Sequence, residues 1–434
     1  MKLLSLGCLE PSVQLDRVRS RAYIAGVRSV ASAYAIWPSA EKPGGRREAA
    51  TVAASPLRRQ GRTVKITQVD VWEVIVPTRP GTVTSPEYGP ADFDRVSKHI
   101  IRLHTDEGIF GIGETYRGVL REAVDRAAAS VIDLDPTKTA LQYLRLSGAE
   151  GSMRHQGRDW EVAHSWLEES PAYDAFEMAI FDLAGKALGV PAHYLLGGAY
   201  RNRVPVDYWI GIQNPEDAAR NARLGKERGF RGMKMKCTID DPWEERIQAI
   251  LDAVGPDFKL TIDPNERFYR PSEFLSLARR LERFPNIAVY EDPVPKWNLD
   301  WYRQIRGAVN VPIALHLQSP HQIFQAIKAE ACDCMNLGGG MTQFVKNAYM
   351  VEAAGMLCWH GSGVDLGILE HSYLHAVAAA RNCVLPSDFV GSWTREDDLI
   401  VEPMRFENGY AIVPDKPGLG CELDLDAVER YRVR

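Results

Sequence analysis

The 434-residue chain has no run of 18 apolar residues, so no segment reads as a membrane-spanning helix. Its seven cysteines include no Cys-x-x-Cys pair. An odd number of scattered thiols in a large chain argues against a disulfide framework and for reduced cysteines in a cytoplasm. The two nearest, Cys332 and Cys334, fall two apart on an expected strand and so share a face. Excess positive charge is also missing: the net charge is −5, which gives no footprint for nucleic acid. No glycine-rich phosphate fingerprint opens a strand–helix unit, and Gly338-Gly339-Gly340 reads as a tight turn rather than a phosphate cradle. His371 and His375 lie one helical turn apart but lack the glutamate of an HExxH motif, so they read as a packed helix face.

What is present fits a soluble globular protein with room for two domains, one as large as a barrel. The average charge hides an asymmetry. Residues 1–63 carry 11 Lys/Arg against 4 Asp/Glu, with weak periodicity and an interruption at Pro43-Gly44-Gly45. This segment reads as a disordered or spurious extension. A transit peptide, which is also Arg-rich and acid-poor, or a short signal ending at Cys8 are the competing readings.

Ordered structure is expected from Val64, where Val64–Val74 alternates apolar and polar residues as a half-buried strand does. A turn-rich loop over Thr78–Pro90, the run His99–Leu103 and Gly111-Ile112-Gly113-Glu114 complete a meander of antiparallel strands. Helical patterns fill roughly 119–198. The clearest spans Tyr173 to Leu188 and stops at Gly189-Val190-Pro191. From Val204 the grammar changes to short β-rich runs alternating with amphipathic helices. The runs are Val204–Ile210, Gly232–Lys236, Lys259–Ile262, Ile287–Tyr290, Ile313–Leu315, Cys332–Asn336 and Leu357–Trp359. Seven such units predict a (β/α)-barrel with one degenerate slot, against an open doubly wound sheet. The expected organisation is an α+β domain over 64–200, completed by 390–434, and a barrel over 201–389.

Barrel chemistry sits at the C-terminal ends of the strands. There the sequence places Lys234-Met235-Lys236, Asp263, Glu291, His316 and His360. The steps from Lys236 to Asp263, Glu291 and His316 are 27, 28 and 25 residues, each one βα unit, so successive strands bring these groups to one point. Two hard carboxylates on adjacent strands suit Mg²⁺. A carbon acid beside a carboxylate becomes reactive only when a preorganised cation meets the developing charge, with a base beside it. Lysine serves as that base when nearby positive charge lowers its pKa, and Lys234 stands next to Lys236 for this purpose.

These motifs, with Tyr173-Asp174-Ala175-Phe176-Glu177 through Phe181-Asp182-Leu183-Ala184-Gly185-Lys186, Tyr194-Leu195-Leu196-Gly197-Gly198, Asp263-Pro264-Asn265, Glu291-Asp292-Pro293 and Pro417-Gly418-Leu419-Gly420, resemble the mandelate racemase/muconate lactonizing enzyme group of the enolase superfamily over residues 64–434. The resemblance implies an α+β capping domain over a modified barrel, one Mg²⁺, a small carboxylate substrate and a homo-oligomer. It also implies roles. Asp263 and Glu291 would be metal ligands and Lys236 the base on one face. Lys234 would contact the substrate carboxylate, with Asn265 beside it, and His360 would be a base on the opposite face. Thr78–Pro90 would be the loop that shapes substrate choice.

The sequence departs from that pattern twice. The third metal ligand is normally Asp or Glu, but the fifth strand end reads Ala314-Leu315-His316-Leu317-Gln318. With His316 as the ligand, Mn²⁺, Zn²⁺ or Fe²⁺ become alternatives to Mg²⁺. Strand 6 offers Asn336-Leu337-Gly338 where racemase-like members place an Asp and cycloisomerase-like members a Lys, so His360 needs Asp333 or Asp365 as its partner. The expected activity is proton abstraction α to a carboxylate, with dehydration of an acid sugar favoured because one base suffices. Racemisation or epimerisation and cycloisomerisation are alternatives, as is a degraded barrel with a binding or structural role.

Overall fold

The computed structural model describes residues 63–89, 95–138 and 170–434. The basic segment ahead of Thr63, residues 90–94 (Pro90, the end of the expected Thr78–Pro90 loop, among them) and the stretch 139–169 lie outside them. Strands β1 (Ile66–Pro77), β2 (Arg95–Thr105) and β3 (Phe110–Glu114) form the antiparallel meander. Helix α1 (Arg121–Val131) follows, and then α2 (Tyr173–Leu188), whose length matches its sequence signals. Gly189 closes α2 in the left-handed conformation (φ 72°) and gives its N–H to the Gly185 and Lys186 carbonyls.

The Gly-Ile-Gly-Glu motif has a packing cause. A Cβ on Gly111 or Gly113 would intrude on the carbonyl oxygens of Ala179 and Ala175, so β3 lies directly against the α2 backbone. Asp182 of α2 ties distant chain together. Its Oδ1 accepts the Leu419 N–H at 2.8 Å, and its Oδ2 accepts from Ile112 N at 3.1 Å and Lys186 Nζ at 2.7 Å.

The barrel follows. After β4 (Arg203–Pro205) come β5 (Tyr208–Ile210), α3 (Pro215–Glu227), β6 (Gly232–Lys236), α4 (Trp243–Val254), β7 (Lys259–Asp263), α5 (Pro271–Leu281) and β8 (Ile287–Glu291). Then come α6 (Leu299–Arg306), β9 (Ile313–Leu317), α7 (Pro320–Lys328), β10 (Cys334–Leu337), α8 (Met341–Ala353), β11 (Leu357–His360) and α9 (Gly367–Ala378). β5 to β11 form one parallel sheet in chain order. Residues 383–388 fill the eighth slot. Cys383 bridges Cys358 and Ser387 bridges Val206, both in parallel sense. Leu385 N donates to Cys358 O at 3.3 Å, and Asp207 N to Ser387 O at 2.9 Å. A ring closed on both sides is a (β/α)-barrel, so the open doubly wound sheet is not the architecture.

The expected strand Val204–Ile210 is two elements. β4 pairs antiparallel with β13 (Tyr410–Ile412), itself paired with β12 (Phe406–Glu407), and only from Val206 does the chain enter the barrel. Pro205 lacks an N–H and marks the switch. Helix α10 (Leu425–Tyr431), capped by Asp424 accepting from Ala427 N at 3.0 Å, then returns to β1, where Val433 N donates to Glu73 O at 2.8 Å. No described helix is long and apolar enough to cross a membrane.

Acids of the N-terminal α+β part meet helix N-termini of the barrel. Glu114 accepts the N–H groups of Leu366 (2.7 Å) and Leu369 (2.9 Å) at the start of α9. Glu177 accepts Thr342 N at 3.3 Å at the start of α8. Carboxylates there complement the partial positive charge of unpaired N–H groups. We expect Gly113→Ala to destabilise the protein by about 2 kcal/mol through the clash with the Ala175 carbonyl. Gly307→Ala, where a Cβ meets nothing nearer than 3.5 Å, should be near neutral. Urea unfolding of both variants checks this.

Candidate active site

Side chains alternate along a strand, so register decides which groups enter the barrel. Lys234 sits beside Thr261, Lys236 beside Asp263, Glu291 beside Ala314 and His316 beside Asn336, all on the inner face. Lys234 is almost wholly buried and is the hub. Its Nζ lies 3.0 Å from Asp263 Oδ2 and 2.9 Å from Glu291, and it also bonds Asp388. Lys236 pairs with Asp263 from the other side. Asn336 Nδ2 donates to Glu291 Oε1 at 2.8 Å, and His316 Nδ1 stands 3.9 Å from the same oxygen. The structure thus brings Lys234, Lys236, Asp263, Glu291 and His316 to one place.

Electrostatics differ among them. Burial alone would lower the Lys234 pKa, but Asp263, Asp388 and Glu291 hold it well above the usual lysine range, so it is a fixed ammonium. Asp263, although buried, is held below the usual carboxylate range by Lys234 and Lys236. Burial and repulsion from Asp263 push Glu291 up to about 8. Burial, with Lys234 and Lys296 nearby, pushes His316 down to about 3, so its imidazole is neutral. Asp207, beneath the cluster and hydrogen-bonded by Thr261 Oγ1 at 3.2 Å, is raised to about 8 by burial.

The loops around the site are interlocked. Glu266 N donates to Asp292 O at 2.7 Å and Phe268 N to Pro293 O at 3.1 Å. Lys296 bridges Glu266 (3.4 Å) and Asp292 (2.5 Å). Asn265, Glu266 and Asp292 all have positive φ (47°, 70° and 42°), strain gathered where strands end. The Asn265 backbone N–H holds Asp263 Oδ1 at 2.9 Å, while Asn265 itself is exposed at the rim. From the other side, the loop after β1 is seated on the end of β5. Ser85 N donates to Ile212 O at 3.1 Å, and Gly211 has no Cβ because Val83 occupies that space.

His360 is not part of this cluster. Its register partner is Leu337, and its neighbours are outer-layer rings: Tyr373 at 3.9 Å and Phe344 at 4.4 Å between centroids. Trp359 takes the inner face beside Asn336. Neither expected partner orients His360. Asp333 is held by Arg306 (2.7 Å) and the Ile313 N–H (2.9 Å). Asp365 is held by Lys98 (2.6 Å), Tyr373 OH (2.9 Å) and the Gly363 N–H (2.7 Å). His360 Nδ1 lies 2.5 Å from Gly361 O, and burial lowers its pKa to about 4. With Trp359 on the inner face, strand alternation puts His360 on the outer one.

Sequence reasoning passed over Asp388 and gave Asn336 no role in the site. Asp388 follows His360 by 28 residues, the same unit spacing, but Leu385-Pro386-Ser387 does not read as a strand. Gly340 packs against two carboxylates: a Cβ there would strike Asp174 and Glu177.

The donor set fits a divalent cation. Glu291, Asp292 and His316 each offer a ligand atom, all within 4.8 Å of one another. Asp292 is already engaged by Lys296 and by the His316 N–H at 2.9 Å. Five carboxylates (Asp207, Asp263, Glu291, Asp292, Asp388) face three lysines (Lys234, Lys236, Lys296). Without a cation, burial and mutual repulsion keep Asp207 and Glu291 protonated to about pH 8, and Asp292 is raised to about 6; a divalent ion would take the place of protons on such acids.

An eight-fold ring with acids and lysines converging at its C-terminal strand ends defines an enzyme of the enolase type. Residues 217–427 match the model of the enolase C-terminal domain-like family, and the chain belongs to the enolase superfamily, in its mandelate racemase/muconate lactonizing branch. It is 27% identical over 382 residues to an N-succinyl-L-Arg/Lys racemase of Bacillus cereus, covering 85% of this chain and 98% of that one. It is 28% identical over 369 residues to a D-xylonate dehydratase of Haloferax volcanii, covering 77% and 85%. Among solved structures, an enolase from Thermobispora bispora complexed with magnesium and formate matches with a TM-score of 0.70 at 26% identity, covering 85% of this chain and 92% of that one.

Asp207 generates a pH prediction. Its folded pKa (about 8) exceeds its ordinary value of 3.8, so its contribution to stability is fully present below 3.8 and is lost as pH rises towards about 8. The slope is at most about 1.4 kcal/mol per pH unit. Asp207→Asn should flatten the fall in melting temperature across that window, as calorimetry at several pH values will read. An unchanged profile would remove Asp207 as its source.

Proposed function

We propose that the chain removes the proton α to a carboxylate with the help of a divalent cation, Mg²⁺ being the family's ion, and that the outcome is β-elimination of water from an acid sugar. The observation that carries the proposal is the meeting of Lys234, Lys236, Asp263 and Glu291 at one point of the barrel mouth. Asp263, Glu291 and His316 are the residues that would hold the ion. When bound, it supplies the positive charge that lets the substrate carboxylate accept the electron pair of the broken C–H bond.

The chain's own groups do the rest. Lys234, kept charged by its carboxylate neighbours, exchanges one of its three carboxylate bonds for the substrate carboxylate and so fixes the α-carbon above Lys236, with Asn265 at the rim beside it. The Lys236–Asp263 pair has to open for the Lys236 amine to take the α-proton at Nζ. As the C–O bond at the β-carbon breaks, the same ammonium returns that proton to the departing hydroxyl, so water leaves and Lys236 is restored. The loop after β1, seated on β5, excludes bulk water as the expected cap.

Dehydration is favoured over 1,1-proton transfer because the inner face opposite Lys236 presents Trp359 and Asn336, with His360 turned outward. Racemisation needs a second base there. Two dehydratases stand among the relatives alongside racemases and cycloisomerases, which fits either outcome.

Hydrogen–deuterium exchange at the α-carbon across an acid-sugar library is the direct test. Lys236→Gln and Asp263→Asn should each lower exchange by about 10³-fold. Wild-type protein that binds metal yet exchanges no library member would favour the degraded-barrel reading.

A further inference from the structure

We infer that His316 ligates the ion through a ring nitrogen, so that the site takes a borderline transition ion of the Zn²⁺, Co²⁺ or Fe²⁺ class in preference to Mg²⁺. This rests on the metal reading above and deepens it.

Three features of the chain carry the inference. The first is position. His316 stands on the inner face at the C-terminal end of β9, in register with Asn336, and its Nδ1 lies 3.9 Å from Glu291 Oε1. That separation is right for two ligands sharing one ion and too long for a hydrogen bond between them.

The second is availability. Neither ring nitrogen of His316 makes a hydrogen bond among the described residues, and the residue is fixed instead through its backbone, whose N–H donates to Asp292 Oδ1 at 2.9 Å. The ring is therefore held at the site with its lone pair uncommitted. Two helix histidines differ in this respect: His371 Nδ1 meets Gly367 O at 2.7 Å, and His375 Nε2 meets Leu419 O at 3.1 Å.

The third is the lack of a replacement carboxylate. Asp292, which stands within 4.8 Å of Glu291 and His316, is occupied by Lys296 at 2.5 Å and by the His316 N–H, and Asp263 is the one further carboxylate the reading above assigns to the ion. A mixed nitrogen–oxygen set follows. Mg²⁺ favours oxygen donors in a strict octahedron, whereas imidazole favours zinc, iron and their neighbours.

The test uses the full chain stripped with a chelator and then titrated with MgCl₂, CoCl₂ and ZnCl₂ by calorimetry. A Mn²⁺-loaded sample examined by electron spin-echo spectroscopy reports a directly bonded nitrogen. Co²⁺ and Zn²⁺ should bind at least about tenfold more tightly than Mg²⁺, and the echo should carry ¹⁴N modulation. His316→Asp should swing the preference at least about tenfold towards Mg²⁺ and abolish the modulation. His316→Gln, which keeps the side chain neutral, should also abolish the modulation and serves if the aspartate variant does not fold. Mg²⁺ bound as tightly as Co²⁺ by the wild type, or ¹⁴N modulation that survives in both variants, overturns the inference while leaving the metal reading intact. No ion bound at millimolar concentration overturns both.

Discussion

The site depends on a buried ammonium. Lys234 has no water to solvate it, and three carboxylates on three different strand ends take water's place. Each carboxylate is in turn unaffordable in that interior without a cation. Removing any member leaves a charge uncompensated, so the group acts as one object. Strand register, loop geometry and side-chain rotamers at the mouth are all constrained by the need to keep it assembled. Glu291, raised to about 8 by burial and by Asp263, is the member whose proton a further cation would replace.

The second constraint joins the meander and its helices to the barrel. Acids within the N-terminal motifs of the sequence turn out to be joints. Glu114 and Glu177 cap α9 and α8, and Asp182 holds the Leu419 and Ile112 amides. Lys98 links Glu114 at 3.2 Å to Asp365 at 2.6 Å in a fully buried triad. The loop after β1 is held separately, by Ser85, whose N–H donates to Ile212 O and whose hydroxyl donates to Asp217.

Much of this was legible in the sequence because period and spacing are one-dimensional signals. The α2 boundaries, the alternation of strands and helices, and the convergence of Lys234, Lys236, Asp263 and Glu291 all follow from counting. What was not legible depends on three-dimensional closure. The eighth slot is filled by a segment with no strand pattern, so Asp388 was passed over. The chain crosses from one sheet to another at Pro205, which no period reveals. His360 was misplaced because a strand end permits either face, and the choice was made by Trp359 filling the interior and by rings of α8 and α9 stacking on the imidazole. Asn336 was read as a missing lysine or aspartate. It is better understood as a clamp that presents one oxygen of Glu291.

The occupied starts of α8 and α9 carry one more consequence. In many barrels a free helix end near the mouth is the natural seat for a phosphoryl group. Here both of these ends are already taken by the protein's own glutamates. A phosphorylated sugar acid would gain nothing from either of them and would have to displace a buried carboxylate to try. Neither of these two helix starts is free to seat a phosphate.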